Sequence, residues 1–142
     1  MKIYIIIPAY NEAEFIGETL QSLISQSKPA HKIVVVDDGS TDKTPEIVSE
    51  FAKKYPEISL IKNTSEGKHL PGSKVVKAFN LGFNTLDDNF DVICKFDADL
   101  IFPKDYPKIV NNNMYCGKVN ILIQISVSPI LLDLYKIMVL KA

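Results

Sequence analysis

Asp97 and Asp99 flank a single alanine in the stretch CKFDADLIFP, which runs from Cys94 to Pro103 and begins in a short apolar run. Carboxylates this close repel each other and resist burial. A chain that sets two of them where a buried strand ends needs something to offset the charge. In an extended backbone, residues two apart point to the same side. A hard divalent cation, Mg²⁺ or Mn²⁺, would resolve the repulsion. Mg²⁺ sites often use one or two carboxylates and complete their shell with water and substrate phosphates. The pair therefore suits a nucleoside-diphosphate ligand. A solvated acidic turn is the plainer alternative, and on spacing alone it is the commoner one.

Asp37 and Asp38 follow another apolar run, in VVVDDGSTD. A carboxylate there can accept a hydrogen bond from a base imino N–H, and Gly39 lets backbone approach a ligand. An ordinary strand-to-helix turn uses the same residue types. In PAYNE, Tyr10 could stack on a base while neighbouring backbone bonds its edge. Lys68, Lys74 and Lys77 could meet phosphates, although such lysines more often form a solvated face. His69 reads as a polar loop residue. Competing nucleotide motifs are absent from the sequence: there is no GxGxxG after the first strand and no GxxxxGK[ST]. Nor is a Ser-His-Asp arrangement visible, since His31 and His69 both lie in polar, linker-like stretches.

The elements that must position these residues follow a simple rhythm. KIYIII (2–7) is a continuous β-branched run, as expected of a strand covered on both faces, and Pro8 is expected to stop it. Asn11 reads as a helix cap, with Glu14 completing a capping box. Phe15, Ile16, Leu20, Leu23 and Ile24 then recur at helical spacing. Ile33 to Val36 make a second buried strand. Thr44 and Pro45 read as N-cap and first helical residue, ahead of a stripe of Ile47, Val48, Phe51 and Tyr55. Residues 58–63 form a third strand. TSEGKHLPGS is a loop. A helix fits 73–86 with Val76, Phe79, Phe83 and Leu86 inward, and 91–96 is a fourth strand. This alternation predicts an α/β fold with a mostly parallel sheet flanked by helices. In such sheets ligands bind beyond the carboxyl ends of the strands. Pro8 to Glu12, Asp37 to Asp42 and Asp97 to Asp99 all occupy those ends.

The totals agree. The 142 residues suit one domain large enough for a real core, and 46% are hydrophobic and 23% charged. Sixteen basic residues nearly balance seventeen acidic ones, so nothing global points to nucleic acid as a partner. Cys94 and Cys116 have no CxxC spacing and no clustered histidines, which argues against zinc. They fit a reducing, cytoplasmic compartment.

IIIPAYNE, VVVDDGSTD, GSKVVKAFNLGF and KFDADLIFP, in this order, resemble the nucleotide-binding half of a family 2 glycosyltransferase of the GT-A fold. Each motif is weak alone; the four together are specific. The resemblance covers roughly residues 2–106. It implies an inverting transferase that uses a UDP- or GDP-linked sugar and Mn²⁺ or Mg²⁺. By that resemblance Pro8, Ala9, Tyr10 and Glu12 lie around the base and ribose. Asp38 accepts from the base N–H with Asp37 beside it, and Asp97 sits near the ribose or metal. Asp99 ligates the metal across the diphosphate, and Lys74 matches a basic residue near the nucleotide.

Beyond about residue 107 the resemblance fades. Residues 107–142 therefore read either as a divergent closing of the sheet, with VNILIQISVS as one more strand, or as the aberrant end of a truncated chain, the reading favoured here. The apolar run 119–140 is interrupted by Pro129, Asp133 and Lys136, which weakens a membrane span and leaves surface association open. A sheet without its later strands would also tend to self-associate. Asp105 and Asp133 are the only acidic residues after Asp99, and neither sits in a base motif. The catalytic base is thus unassigned. The expected function is sugar transfer from a nucleotide-sugar to an unidentified glycan, lipid or protein acceptor. The alternative is a fragment that binds the donor without turnover. A sugar-1-phosphate nucleotidyltransferase is a third reading, against which the first loop has no glycine.

Overall fold

A computed structural model of the chain describes residues 2–63 and 73–104, together with the backbone of two further strands at 121–124 and 136–138. Strands β1 (Ile3–Ala9), β2 (Lys32–Asp37), β3 (Ile58–Lys62) and β4 (Val92–Lys95) alternate with helices α1 (Ile16–Ile24), α2 (Thr44–Lys54) and α3 (Ser73–Phe83). Strands β5 (Ile121–Gln124) and β6 (Lys136–Met138) follow. They form one six-stranded sheet in the order β3-β2-β1-β4-β5-β6. All pairs are parallel except β5 with β6. The mostly parallel α/β sheet expected from the sequence is the one observed, and β5 lies within the stretch VNILIQISVS.

The continuous apolar runs have a direct explanation. Ile3, Ile5 and Ile7 of β1, with Ile33 and Val35 of β2, pack against Ile16, Leu20 and Leu23 of α1 and Val48 of α2. Tyr4, Ile6, Val34, Val36 and Ile93 point to the opposite face, where Ala78 and Phe79 of α3 cover them. Both faces of each central strand are covered, so neither face is polar. Strand order reverses between β1 and β4. The chain winds outward through β2 and β3, then returns to the other side of β1. The carboxyl ends of β1 and β4 therefore diverge into a crevice.

Several local expectations are corrected. Pro8 does not stop β1; it pairs with Val36 inside the strand. The carbonyl of Ile6 accepts from Phe96 N–H, so alternate residues Ile6 and Pro8 face β4. That ladder ends at Ile6 and Lys95, and the N–H that proline lacks has no partner to lose there. Asn11 does not cap α1. The helix begins five residues later without a side-chain cap, and Phe15, expected inward, is exposed. Thr44 is the first residue of α2 rather than its cap, and Asp42 accepts from the Thr44 N–H at 2.9 Å. Val76 of α3 is 57% exposed, and the inward positions are Ala78, Phe79, Leu81 and Phe83.

Among the described residues no helix is long and apolar enough to cross a membrane. Cys94 is a free thiol fully enclosed in the core, and burial pushes its pKa up to about 12. Lys68, His69, Asp105, Cys116 and Asp133 lie outside the described residues.

Candidate functional site

Three loops meet at the carboxyl ends of β1, β2 and β4. The loop after β1 turns sharply at Asn11, whose φ is 54°, a left-handed conformation that asparagine tolerates better than most residues. Its N–H donates to Ser40 Oγ at 2.9 Å, and its Oδ1 accepts from Thr41 N–H at 2.8 Å. Glu12 N–H donates to Thr44 Oγ1 at 2.8 Å, and Ala13 N–H donates to Asp42 Oδ2 at 3.0 Å. The loops after β1 and β2 are thus bonded together backbone to side chain in both directions. Gly39, at φ 81°, makes the second turn in a conformation that a side chain would strain.

The third loop is held from α1. Thr19, fully buried, donates from Oγ1 to the carbonyl of Ala98 at 2.7 Å. Phe102 N–H donates to Ser22 Oγ at 3.1 Å, and the rings of Phe96 and Phe102 pack 4.5 Å apart. Ala98 and Asp99 form a turn, so the two aspartates are not a continuous extended pair. Both nevertheless face the same space.

That space is a cleft of about 420 Å³ lined by Pro8, Ala9, Tyr10, Glu12, Asp38, Lys74, Val75, Ala78, Asp97, Ala98 and Asp99. Every residue that the resemblance assigns to substrate or metal lines it except Asp37. That carboxylate is buried and accepts from Ser40 N–H at 3.2 Å, which shapes the turn that presents Asp38. Asp38 Oδ1 accepts from Asn63 Nδ2 at 2.6 Å, so the end of β3 orients it. Tyr10 is half-exposed at the rim, with the Lys74 ammonium 5.3 Å from its ring centre. Lys77, by contrast, is exposed on α3 away from the lining.

The cleft is acidic. Burial raises the Glu12 pKa above the usual carboxyl range, and the charges of Asp99, Asp42 and Asp97 raise it further. Among the described residues no three His, Cys, Asp or Glu side chains gather at metal-ligand spacing. Hard carboxylate oxygens in a surplus of negative charge suit Mg²⁺ or Mn²⁺ held by one or two of them, with the remaining shell from water and phosphate.

One site residue went unread in the sequence. Lys95 of β4 is only 6% exposed, and its ammonium forms a close ion pair with the Asp97 carboxylate. A buried lysine needs such a partner. The signal was present: a lysine in an apolar strand, two residues before an aspartate, shares its face by the period of a strand. Asn63 had no comparable signal, because its partner Asp38 lies 25 residues away.

The model of the family described as "Glycosyl transferase family 2" matches residues 4–125. The chain belongs to this family. Among family relatives, it is 38% identical over 104 residues to a probable glycosyltransferase, YdaM, of Bacillus subtilis, covering 69% of this chain and 23% of that protein. Among solved structures, it superposes on S. aureus TarS 1–349 in complex with UDP with a TM-score of 0.64 and 29% identity. That match covers 79% of this chain and 31% of TarS 1–349. It also superposes on the mannosyltransferase PcManGT of Pyrobaculum calidifontis in complex with GDP-Man and Mn²⁺, with a TM-score of 0.61 and 29% identity, over 78% of this chain and 30% of that one. The chain thus spans about a quarter to a third of the length of these proteins, and its fold is the GT-A fold of these glycosyltransferases.

Proposed function

We propose that this chain forms the donor site of a glycosyltransferase that moves a sugar from a UDP- or GDP-linked donor to an acceptor hydroxyl with inversion. The observation that carries this reading is the convergence of Tyr10, Glu12, Asp38, Lys74, Asp97 and Asp99 on one cleft at the switch point of the sheet. The superposed structures holding UDP, and GDP-Man with Mn²⁺, support it.

In this reading the Tyr10 ring stacks on the base, and Asp38, fixed by Asn63, accepts from the base N–H. Backbone at Pro8 and Ala9 lines the base and ribose. Lys74 leaves the Tyr10 face and turns to the diphosphate. Asp99 holds Mn²⁺ or Mg²⁺, with Asp97 beside it. When bound, the cation neutralises charge gathering on the departing diphosphate. The acceptor oxygen attacks the anomeric carbon from the opposite face as the bond to the diphosphate breaks, and its proton passes to a carboxylate base. No described residue is assigned that role. The acceptor would be a glycan, a lipid or a protein. The free buried thiol of Cys94 agrees with a cytoplasmic setting.

Calorimetric titration with UDP and with GDP, each with and without Mn²⁺, tests the reading. Binding of one nucleotide that depends on Mn²⁺ and is lost in Asp99→Ala is expected. A folded chain that binds neither would overturn it.

A further inference from the structure

We infer that Thr19 and Ser22 of α1 are positioning residues of the donor site. Their hydroxyls fasten the turn that carries Asp99 to the helix that also anchors the loop after β1, and so set how well Asp99 meets the cation. The inference rests on the donor-site reading above and deepens it.

Thr19 is an unexpected residue for its place. Ile16, Leu20 and Leu23 of α1 pack into the apolar core, and Thr19 beside them has no exposure. A β-branched residue gains nothing there in helix propensity, and a buried hydroxyl is costly unless it is bonded. A helical threonine ordinarily donates to the carbonyl four residues back. That carbonyl, of Phe15, lies 3.2 Å from Thr19 Oγ1, whereas the carbonyl of Ala98 lies 2.7 Å away. The single hydroxyl proton therefore favours the loop over the helix. One turn on, Ser22 Oγ donates to the carbonyl of Thr19 at 2.8 Å and accepts from Phe102 N–H at 3.1 Å. Consecutive hydroxyls on one helix thus hold both ends of the segment 98–102.

The peptide that Thr19 holds is the one that leads into Asp99. A planar trans peptide cannot turn its carbonyl without turning the residue that follows. Asp99 is exposed, on a turn whose feet, Phe96 and Phe102, are buried with their rings 4.5 Å apart. At its other end α1 grows out of the loop after β1. The Glu12 carbonyl accepts from the N–H of Phe15 at 3.0 Å and of Ile16 at 2.9 Å. Tyr10 and Glu12 on one wall of the cleft, and Ala98 and Asp99 on the other, therefore hang from one helix. A nucleotide held by its base at Tyr10 and Asp38 presents its diphosphate at a fixed reach. The spacing of the walls then decides whether Asp99 meets the cation there.

The test compares the unaltered chain with Thr19→Val, Thr19→Ser and Ser22→Ala. Affinity in Mn²⁺, for UDP or GDP as the unaltered chain selects, is read by calorimetry. Ligand-induced amide protection is read by hydrogen exchange, at nucleotide and Mn²⁺ concentrations that saturate each variant. Thr19→Val keeps the branched shape but removes the donor to the Ala98 carbonyl, and nucleotide affinity should fall about ten-fold. Protection at residues 38–42 should match the unaltered chain, while protection at 96–100 should diminish. Thr19→Ser restores the hydroxyl and should return both readings toward the original values. Unchanged affinity in folded Thr19→Val, with only a lower melting temperature, overturns the inference. So does an equal loss of protection at 38–42 and 96–100, the mark of a general loosening. If Thr19→Val does not fold, Ser22→Ala decides by the same two readings, since Ser22 is only partly buried and its hydroxyl is less deeply set in the core. Failure of the unaltered chain to bind UDP or GDP at all would sink the donor-site reading itself, a result distinct from these.

Discussion

Glu12 is the residue at which the acidity of the cleft is most directly readable. Burial raises its pKa, and the carboxylates of Asp99, Asp42 and Asp97 push in the same direction. The folded chain therefore holds the Glu12 proton more tightly than the unfolded chain does. Its contribution to stability is fully present below the ordinary glutamate pKa, about 4.3, and is lost as pH rises through the raised value. Glu12→Gln carries no such charge. The variant should gain melting temperature relative to the unaltered chain on going from pH 4 to pH 7.5. Thermal melts across that range measure the difference, which isolates the charge from any change in packing common to both pH values. A difference that stays flat with pH would show that the crowding of carboxylates around Glu12 has no energetic consequence. Mn²⁺ should shrink the same difference, since a dication offsets the repulsion that Glu12 feels.

At the scale of elements, α3 shows how closely the site depends on packing. A Cβ at Gly82 would lie 2.8 Å from Ile6 Cγ2 and 2.9 Å from Val36 Cγ2. Those methyls belong to β-branched residues with no exposure, and their rotamers have little room to yield. Gly82→Ala gains about 1 kcal/mol of helix propensity but forces overpacking that typically costs about 1–3 kcal/mol. The second effect should win. Because α3 carries Lys74 and Val75, its displacement should weaken UDP binding as well. Urea denaturation and calorimetry on the same variant check both, and a stabilised protein with unaltered affinity would show that α3 can shift freely. The same helix marks the limit of sequence reading. Its existence was legible from periodicity, yet Val76 was placed inward, because spacing alone does not say which edge of an apolar stripe meets the sheet. Strands β1, β2 and β4 were legible because a strand covered on both faces has no polar alternation to confuse. Pro8 misled, since whether its missing N–H matters depends on where the neighbouring ladder ends. Asn11 carries a helix-capping residue type, but its side chain serves the loop after β2, about thirty positions away. The polar clusters were found because strand ends are predictable. Their internal bonds, Lys95 to Asp97 and Asn63 to Asp38, required the fold.

Across the whole molecule the two rims of the sheet have different tasks. At the amino ends Tyr4 donates to Asp87 at 2.8 Å, Lys32 pairs with Asp87 at 3.6 Å, and Lys2 N–H donates to Asp91. These bonds fasten β1, β2 and the approach to β4 together away from the cleft. Burial and the Asp87 carboxylate also act on Tyr4, whose pKa is raised first by its hydrogen bond to Asp87. The carboxyl ends are instead loops joined by side chains, and they diverge where strand order reverses. A ligand that binds only the folded chain stabilises it by about 2.7 kcal/mol at a hundred-fold excess over its dissociation constant. Local opening of loops needs less than global unfolding, so bound ligand should appear first as slower amide exchange there. With UDP and Mn²⁺ together, protection should rise at residues 9–13, 38–42 and 96–100. It should remain unchanged along 2–4 and 87–92. Either component alone should give less than the pair if, as proposed, the cation and the diphosphate share one site between Asp99 and Lys74. Hydrogen exchange read by mass spectrometry distinguishes the outcomes. Protection spread evenly over both rims would mean that UDP tightens the sheet as a unit. Protection at the amino rim alone would place the ligand at the wrong end of the strands and remove the crevice between β1 and β4 from consideration.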